Sequence, residues 1–477
     1  MRDFESYELA DAFDEAVGRN GELREHYGPL AAALANADPG SLASRHRAAE
    51  LFFLHRGTTF TVYGESAGID RIFPFDFVPR VVPRQEWERV EKGLKQRIYA
   101  LNLYLHDIYH NQQILRDGVV PVELVYGASH FRREWIGVSV PHNIYVHICG
   151  TDLIRDRDGS YLVLEDNLRS PSGVSYVLEN RQAMQRIFPE FFEGYEVQPV
   201  QPYCPTLRKV LQHLAPGGRD EPVIALLTPG VYNSAYFEHT YLAKQMGVEL
   251  VEGSDLVVDD DVVYMRTTRG LQRVDVIYRR VDDDFIDPIV FRPESILGVP
   301  GLVNAYRSGQ VALANSLGTG VADDKAIYAY TPAIIKYYLG EEPILPIVPT
   351  LLPTDDTTRQ YVLENLAQLV VKRVDESGGY GMLIGPAASQ VELEEFRRRV
   401  AAEPRAYIAQ PVISLSTHPT WIGERLEPRH VDLRPYILYG EELYVLPGGL
   451  TRVALPKGSL VVNSSQGGGS KDTWVLA

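Results

Sequence analysis

The stretch LEDNLRSPSG (164–173) decides how this chain is read. It closes a strand-like run, GSYLVLEDN (159–167), and breaks into Pro-Ser-Gly. A strand sends alternate side chains to one face, so Glu165 and Asn167 point together while Asp166 points away. A carboxylate beside an amide oxygen is a pair of hard donors that suits Mg²⁺. A polar strand end running into a turn would look the same on this stretch alone.

The residues upstream bear on that choice. NIYVHICGTDLI (143–154) is a second strand-like run, joined to the first through RDRDGS. Asp-Gly is a strong two-residue hairpin signal, because type I′ turns need positive φ at both central residues. With Asp158 and Gly159 as that turn, Arg157 faces Ser160 and Asp152 falls opposite Glu165. The two carboxylates would then lie about 5 Å apart on one face, with Asn167 adjacent. They would repel by roughly 1 kcal/mol in water and by about 4 kcal/mol at an effective dielectric of ~20. A cation resolves that repulsion, which makes Asp152, Glu165 and Asn167 the candidate metal ligands. A slip of one residue would instead leave a solvated charged strand pair.

Bulk composition narrows the classes. The 477 residues leave room for roughly three domain-sized units. Hydrophobic residues at 45% and charged residues at 23% are ordinary for a globular protein. A formal net charge of −16 argues against a general nucleic-acid or anionic-membrane binder. Cys149 and Cys204 are the only cysteines, without metal-like spacing, which indicates a reducing compartment and no disulfide framework. The acidic N-terminus lacks the apolar core of a signal peptide, and no apolar run approaches 18 residues. A cytoplasmic protein is expected.

Four segments are expected along the chain. Residues 1–56 read mainly as helix, and RQEWERVEKGLKQRIYALNLYLHDIY (84–109) is the strongest amphipathic helix. Residues 57–200 carry the hairpin. The Pro-rich YEVQPVQPYCPT (195–206) reads as a linker into 201–310, where VIALLTPG, YFEHTYLAKQMG and VELVEG alternate as strand, helix and strand. Within 311–477, residues 320–345 read as helical, and 366–374, 406–414, 435–449 and 459–469 read as strands and turns.

The second half carries groups suited to phosphate. Lys372 sits in an apolar strand of VVKRVDESGGYG (370–381), followed by Gly378, Gly379 and Gly381, whose amides can approach phosphate oxygens. An edge-strand lysine before a hairpin turn reads equally well. The glycines follow the lysine, unlike a protein kinase, and GGGSK lacks Walker A spacing. Gln410 with the backbone that follows, including Val412, offers a hinge for an adenine. Asp432, Arg434, Arg452, Asn463 and Gly467 to Gly469 come next, and an always-charged arginine suits a developing phosphoryl charge.

Together these pieces resemble the ATP-grasp superfamily, cut and rejoined. Asp324-Lys325, Lys372, the 378–381 loop, Gln410 to Ile413, Asp432/Arg434, Arg452 and Asn463/Gly467 run in the usual order. The closing part, Asp152…Asp158-Gly159…Glu165-x-Asn167…Pro171-x-Gly173, sits in the first half instead. The chain resembles the circularly permuted ATP-grasp families related to glutathionylspermidine-synthetase-like proteins, from about residue 50 onward. The resemblance implies an α/β (α+β) circularly permuted ATP-grasp fold with a pre-ATP-grasp-like α/β domain and an N-terminal helical segment.

It also implies ligation of a small-molecule or peptide carboxylate to an amine through an acyl phosphate, with ATP and two Mg²⁺ ions. Asp152, Glu165 and Asn167 would bind metal, Lys325 and Lys372 the α- and β-phosphates, and the 378–381 loop would close as a lid. Arg452, with Lys372, would stabilise the transferred phosphoryl group, and Asn463 would add a metal or phosphate contact. Arg169, Ser172, Asn463, Gly468 and one of Arg279 or Arg280 are substrate-side candidates, with Arg80 and Arg84 behind them. No Glu close to the hinge serves the ribose. A phosphotransferase, or a non-catalytic nucleotide-binding module working with partner proteins, would use the same phosphate groups, and a homo-oligomer stays open. The permutation requires the two chain ends to lie near one another.

Overall fold

The computed structural model describes residues 4, 7–61, 70–375, 381–423, 425–462 and 467–477. A nine-stranded sheet forms the centre. Strand Ile148–Arg155 pairs with Tyr161–Asn167 and also runs beside Arg425–Arg434 and Tyr436–Tyr439, so the hairpin is completed by strands from the far end of the chain. Leu450–Val453 and Gly469–Val475 continue the sheet, and Gly469–Val475 lies parallel to Phe75–Val82. The expected segments 57–200 and 311–477 thus interleave in one sheet.

The hairpin itself corrects the expected turn. The Asp156 amide donates to the Ser160 carbonyl at 3.0 Å and Arg155 pairs with Tyr161, so the loop is three residues, Arg157 to Gly159. Gly159 takes φ +85°, the left-handed position that such loops require. Arg157 therefore does not face Ser160. A bulge then skips Leu164, since Leu153 pairs with Val163 while Asp152 pairs with Glu165. The longer turn and the bulge cancel, and Asp152 faces Glu165 as the shorter turn would have placed it.

Helix Arg84–Tyr109 begins after Pro83 and has the expected bounds. Trp87, Val90, Leu94, Ile98, Leu101, Leu105 and Ile108 recur at helical spacing and are buried in the main core. Among its buried charged groups, Arg97 grips the Asp166 carboxylate with Nε at 2.8 Å and Nη2 at 2.6 Å. Asp166 does point away from Glu165, and it docks the hairpin onto this helix.

A parallel four-stranded sheet follows, ordered Ala312–Ala314, Val276–Arg279, Ile224–Leu227, Glu249–Val251, with helix Tyr236–Met246 as the crossover. The strand–helix–strand expectation holds. The second half of the Pro-rich stretch is helix rather than linker, because helix Tyr203–His213 starts just after Pro202 and accommodates Pro205 in its first turn. An antiparallel sheet of Leu256–Asp259, Val262–Thr267 and Gly270–Arg273 completes this region.

Strand Leu369–Arg373 pairs with Leu383–Ile384 and Tyr407–Pro411, and helices Asp356–Glu364 and Gln390–Ala402 cover the face bearing Leu369 and Val371. Lys372 therefore lies on the opposite face. At the N-terminus, helix covers Gly28–Asn36 and Pro39–Arg56, whereas residues 7–24 form no helix. They run across the sheet instead, with Asp14 bridged to Thr417 and Glu15 bound by Arg80 and Arg155. Tyr7, Tyr27, Leu30 and Trp474 belong to one hydrophobic cluster.

Candidate functional site

Two sheets present charge to one another. Glu165, Asn167 and Lys325 line one small pocket with Val374 and Asp375 from the end of the Lys372 strand. The Lys325 ammonium lies 3.6 Å from the Glu165 carboxylate. Lys325 opens the short helix Lys325–Tyr328, whose N-cap Asp324 accepts the Ala326 amide and pairs with Arg405 at 2.8 Å. Asp323, one residue earlier, faces the other way: it pairs with Arg169 at 2.8 Å and accepts the Leu168 amide. Burial pushes Asp323 up to about 6 against the pull of Arg169. The Asp-Asp-Lys run thereby ties the end of the Glu165 strand to the Arg405 side.

Lys372 donates to Gln410 Oε1 at 3.0 Å, and Gln410 Nε2 donates to Thr350 Oγ1 at 3.0 Å. Val370 faces Gln410 across the ladder, so Lys372, two residues on, shares its face. The Gln410 side chain thus orients the lysine. Val412, half-buried, lies just past the strand end at Pro411, where the chain leaves the ladder. Burial lowers Lys372 to about 8, with Lys325 adding to the shift and Glu165 and Asp152 opposing it.

Asp152 is held by arginines. Arg434 binds it through Nε at 2.5 Å and Nη2 at 2.8 Å, and Arg452 Nη2 reaches it at 2.7 Å. Arg452 also grips Asp432, its register partner on the adjacent strand. Burial alone would raise the Asp152 carboxyl, but Arg434 and Arg452 outweigh it and hold it well below the usual carboxylate range. Among the described residues no three His, Cys, Asp or Glu side chains gather as a metal site. Glu165 and Asn167 fit Mg²⁺ as a two-donor edge, since Mg²⁺ keeps waters and takes substrate phosphates for the remaining positions.

The turn after Asn167 is gripped from below. Arg280 Nη1 donates to the Pro171 carbonyl at 2.7 Å and Nη2 lies 3.2 Å from Glu238. Glu238 Oε2 accepts from the Gly173 amide at 2.7 Å and the Ser175 amide at 3.1 Å. The Ser172 carbonyl accepts from Tyr436 Oη at 2.9 Å and Arg434 Nη1 at 3.4 Å.

Arg279 faces away, wholly buried against Asp283 at 2.8 Å and the carbonyls of Asn315 and Ser316. Arg169 Nη1 donates to His130 Nε2 at 3.3 Å beside the Glu165 pocket. Arg80 is buried against Glu15, and Arg84 pairs with Glu88 on the surface. Gly381 is exposed, Gly468 is buried, and Gly378, Gly379 and Asn463 lie outside the described residues.

Sequence reasoning passed over Asp323, Arg405, Glu238 and His130. The doubled aspartate before Lys325 was a usable signal, because one face of a short turn cannot serve both carboxylates. Glu238, in YFEH, and His130 carry no local pattern.

Residues 79–454 match the family model described as circularly permuted ATP-grasp type 2. The chain is 57% identical over 473 residues to an uncharacterized protein of Synechocystis sp., covering 99% of this chain and 98% of that one. It is 45% identical over 465 residues to a Frankia casuarinae protein named "Putative glutamate--cysteine ligase 2-2", covering 97% of this chain and 53% of that protein. The solved structure of a glutathione synthetase like-effector from Globodera pallida superposes with a TM-score of 0.61 at 13% identity, over 92% of this chain and 98% of that chain. That likeness concerns the fold. With more than half its length matched, the chain belongs to the circularly permuted ATP-grasp type 2 family.

Proposed function

We propose that this protein is an ATP- and Mg²⁺-dependent carboxylate–amine ligase that releases ADP and phosphate. The observation that carries the reading is the meeting of three separate chain segments: the Lys325 ammonium lies 3.6 Å from Glu165, and the Lys325 amide donates to the carbonyl of Val374, just past the Lys372 strand. The Frankia relative bears a ligase name, but this chain spans only 53% of it, so the name supports the class of reaction and no particular substrate.

Lys325 and Lys372 would hold the nucleotide phosphates, Lys372 kept in position by Gln410. Mg²⁺ at Glu165 and Asn167 would neutralise charge on the β- and γ-phosphates. The substrate carboxylate attacks the γ-phosphorus and the bond to the ADP oxygen breaks. The amine nitrogen then attacks the acyl carbon, phosphate leaves with the C–O electron pair, and the nitrogen gives up a proton. Arg434 and Arg452 would present guanidinium donors beside the turn at Ser172. Their pairing with Asp152 and Asp432 fixes where that charge sits before any substrate arrives.

The test is release of ADP and phosphate from MgATP with pooled amino acids, peptides and polyamines, with product masses determined. ADP formation that needs both a carboxylate and an amine supports the ligase. AMP formation, or a stable phosphorylated product formed without an amine, overturns it.

A further inference from the structure

The four-stranded parallel sheet turns its order around at Ile224–Leu227 and Val276–Arg279, the two central strands. In such sheets ligands bind in the crevice outside the carboxyl ends at that switch point. Here the inner part of the crevice already holds a piece of the chain. Arg280 and Glu238, which follow those two strands, grip the turn from Pro171 to Ser175. What remains open is the outer side of helix Tyr236–Met246.

That side borders a cavity of ≈ 590 Å³ lined by Arg56, Asn233, Tyr236, Phe237, Tyr241 and Lys244, among others. Glu179, wholly buried, pairs with Arg56 at 2.5 Å and is the sole acid among the described lining residues, while His55, Arg56 and Lys244 are basic. With Arg56 balanced by Glu179, Lys244 leaves the described lining with a net positive charge in a chain of net charge −16, which favours an anion there. Val231, which lines the cavity, is 59% exposed, apolar surface placed where a ligand would cover it. Helix Val174–Ile187 runs from the gripped turn to the pocket floor at Glu179. The four residue steps from Ser175 to Glu179 rise about 6 Å, and an extended tripeptide spans about 10 Å. We propose that this cavity binds the anionic far end of a peptide substrate whose other end reaches the Pro171–Ser175 turn.

The role assigned rests on the ligase reading, whereas the binding can be measured by itself. Equilibrium dialysis of triglutamate and of trialanine against the full chain, with and without MgADP, provides the test. Lys244→Glu reverses an exposed charge of the pocket, and Lys336→Glu reverses an exposed lysine paired with Glu342 elsewhere. Triglutamate should bind at least tenfold more tightly than trialanine, and Lys244→Glu should weaken it at least tenfold while Lys336→Glu does not. Equal binding of the two peptides, or equal loss in both variants, overturns the proposal. Absence of MgADP binding by the wild type would overturn the ligase reading instead, and leaves the peptide result standing.

Discussion

The Lys325 ammonium lies 3.6 Å from the Glu165 carboxylate. One residue lies near the C-terminal end of the hairpin strand Tyr161–Asn167; the other opens a short helix far along the chain. Neither has its partner nearby in sequence, and the pairing exists because the short helix packs on the hairpin strand, where Tyr328 Oη donates to the Val163 carbonyl.

Glu165→Gln removes both the counter-ion of Lys325 and a carboxylate oxygen for Mg²⁺. MgADP affinity should fall about tenfold or more, and the melting temperature should move little because Glu165 is half-buried. Calorimetric titration and a melting curve decide it; an unchanged affinity would remove Glu165 from the site.

Lys372 is charged below about pH 8 and loses its proton above it, because burial lowers it. MgADP binding should therefore weaken as pH rises from 7 to 9. Lys372→Arg, always charged, should flatten that part of the profile. A wild-type affinity flat across this range would contradict the role given to Lys372. The same lowered value means that the fold gains stability as pH rises from about 8 toward 10.5, where only the unfolded chain still holds the proton.

Glu15 anchors the N-terminal segment. Burial raises its carboxyl, but Arg80 and Arg155 outweigh that and hold it at about 2, below the ordinary 4.5. Its contribution is complete above 4.5 and disappears as pH falls through about 2. Glu15→Gln leaves Arg80 buried without its counter-ion and should cost about 3–5 kcal/mol. Urea unfolding at pH 7 measures this, and a loss under 1 kcal/mol would show that the segment is not held by that pair.

Gly159 takes φ +85°, and a Cβ there would meet the Phe13 ring at 2.5 Å. Gly159→Ala should destabilise by at least about 1–2 kcal/mol from the backbone alone, with the ring contact adding more. Combining it with Phe13→Leu should recover part of the loss, so the two changes should not be additive. Strict additivity would mean that Phe13 does not pack on the turn in solution.

Local chemistry made much of this protein legible in advance. The helix Arg84–Tyr109 follows from seven apolar positions at one spacing, and the facing of Glu165 and Asn167 from strand alternation. Even so, the opposition of Asp152 and Glu165 was reached through the wrong turn, and it holds because the bulge at Leu164 offsets a longer loop. Residues 7–24 show no helix because their partners, Thr417, Arg80 and Arg155, are distant in sequence and outweigh local propensity.

The sequence by itself determined which groups are available: the carboxylates, lysines and arginines in an order that spells one fold cut and rejoined. Periodicity and turn chemistry act over a few residues, so they are written locally. Only the tertiary structure decided how those groups are spent. It gives both oxygens of Asp152 to Arg434 and Arg452, turns Gln410 toward Lys372, and sets Arg280 and Glu238 under the turn at Pro171. Such choices depend on which charges meet after the sheet has closed, when each buried ion must find a partner or bear the cost of desolvation.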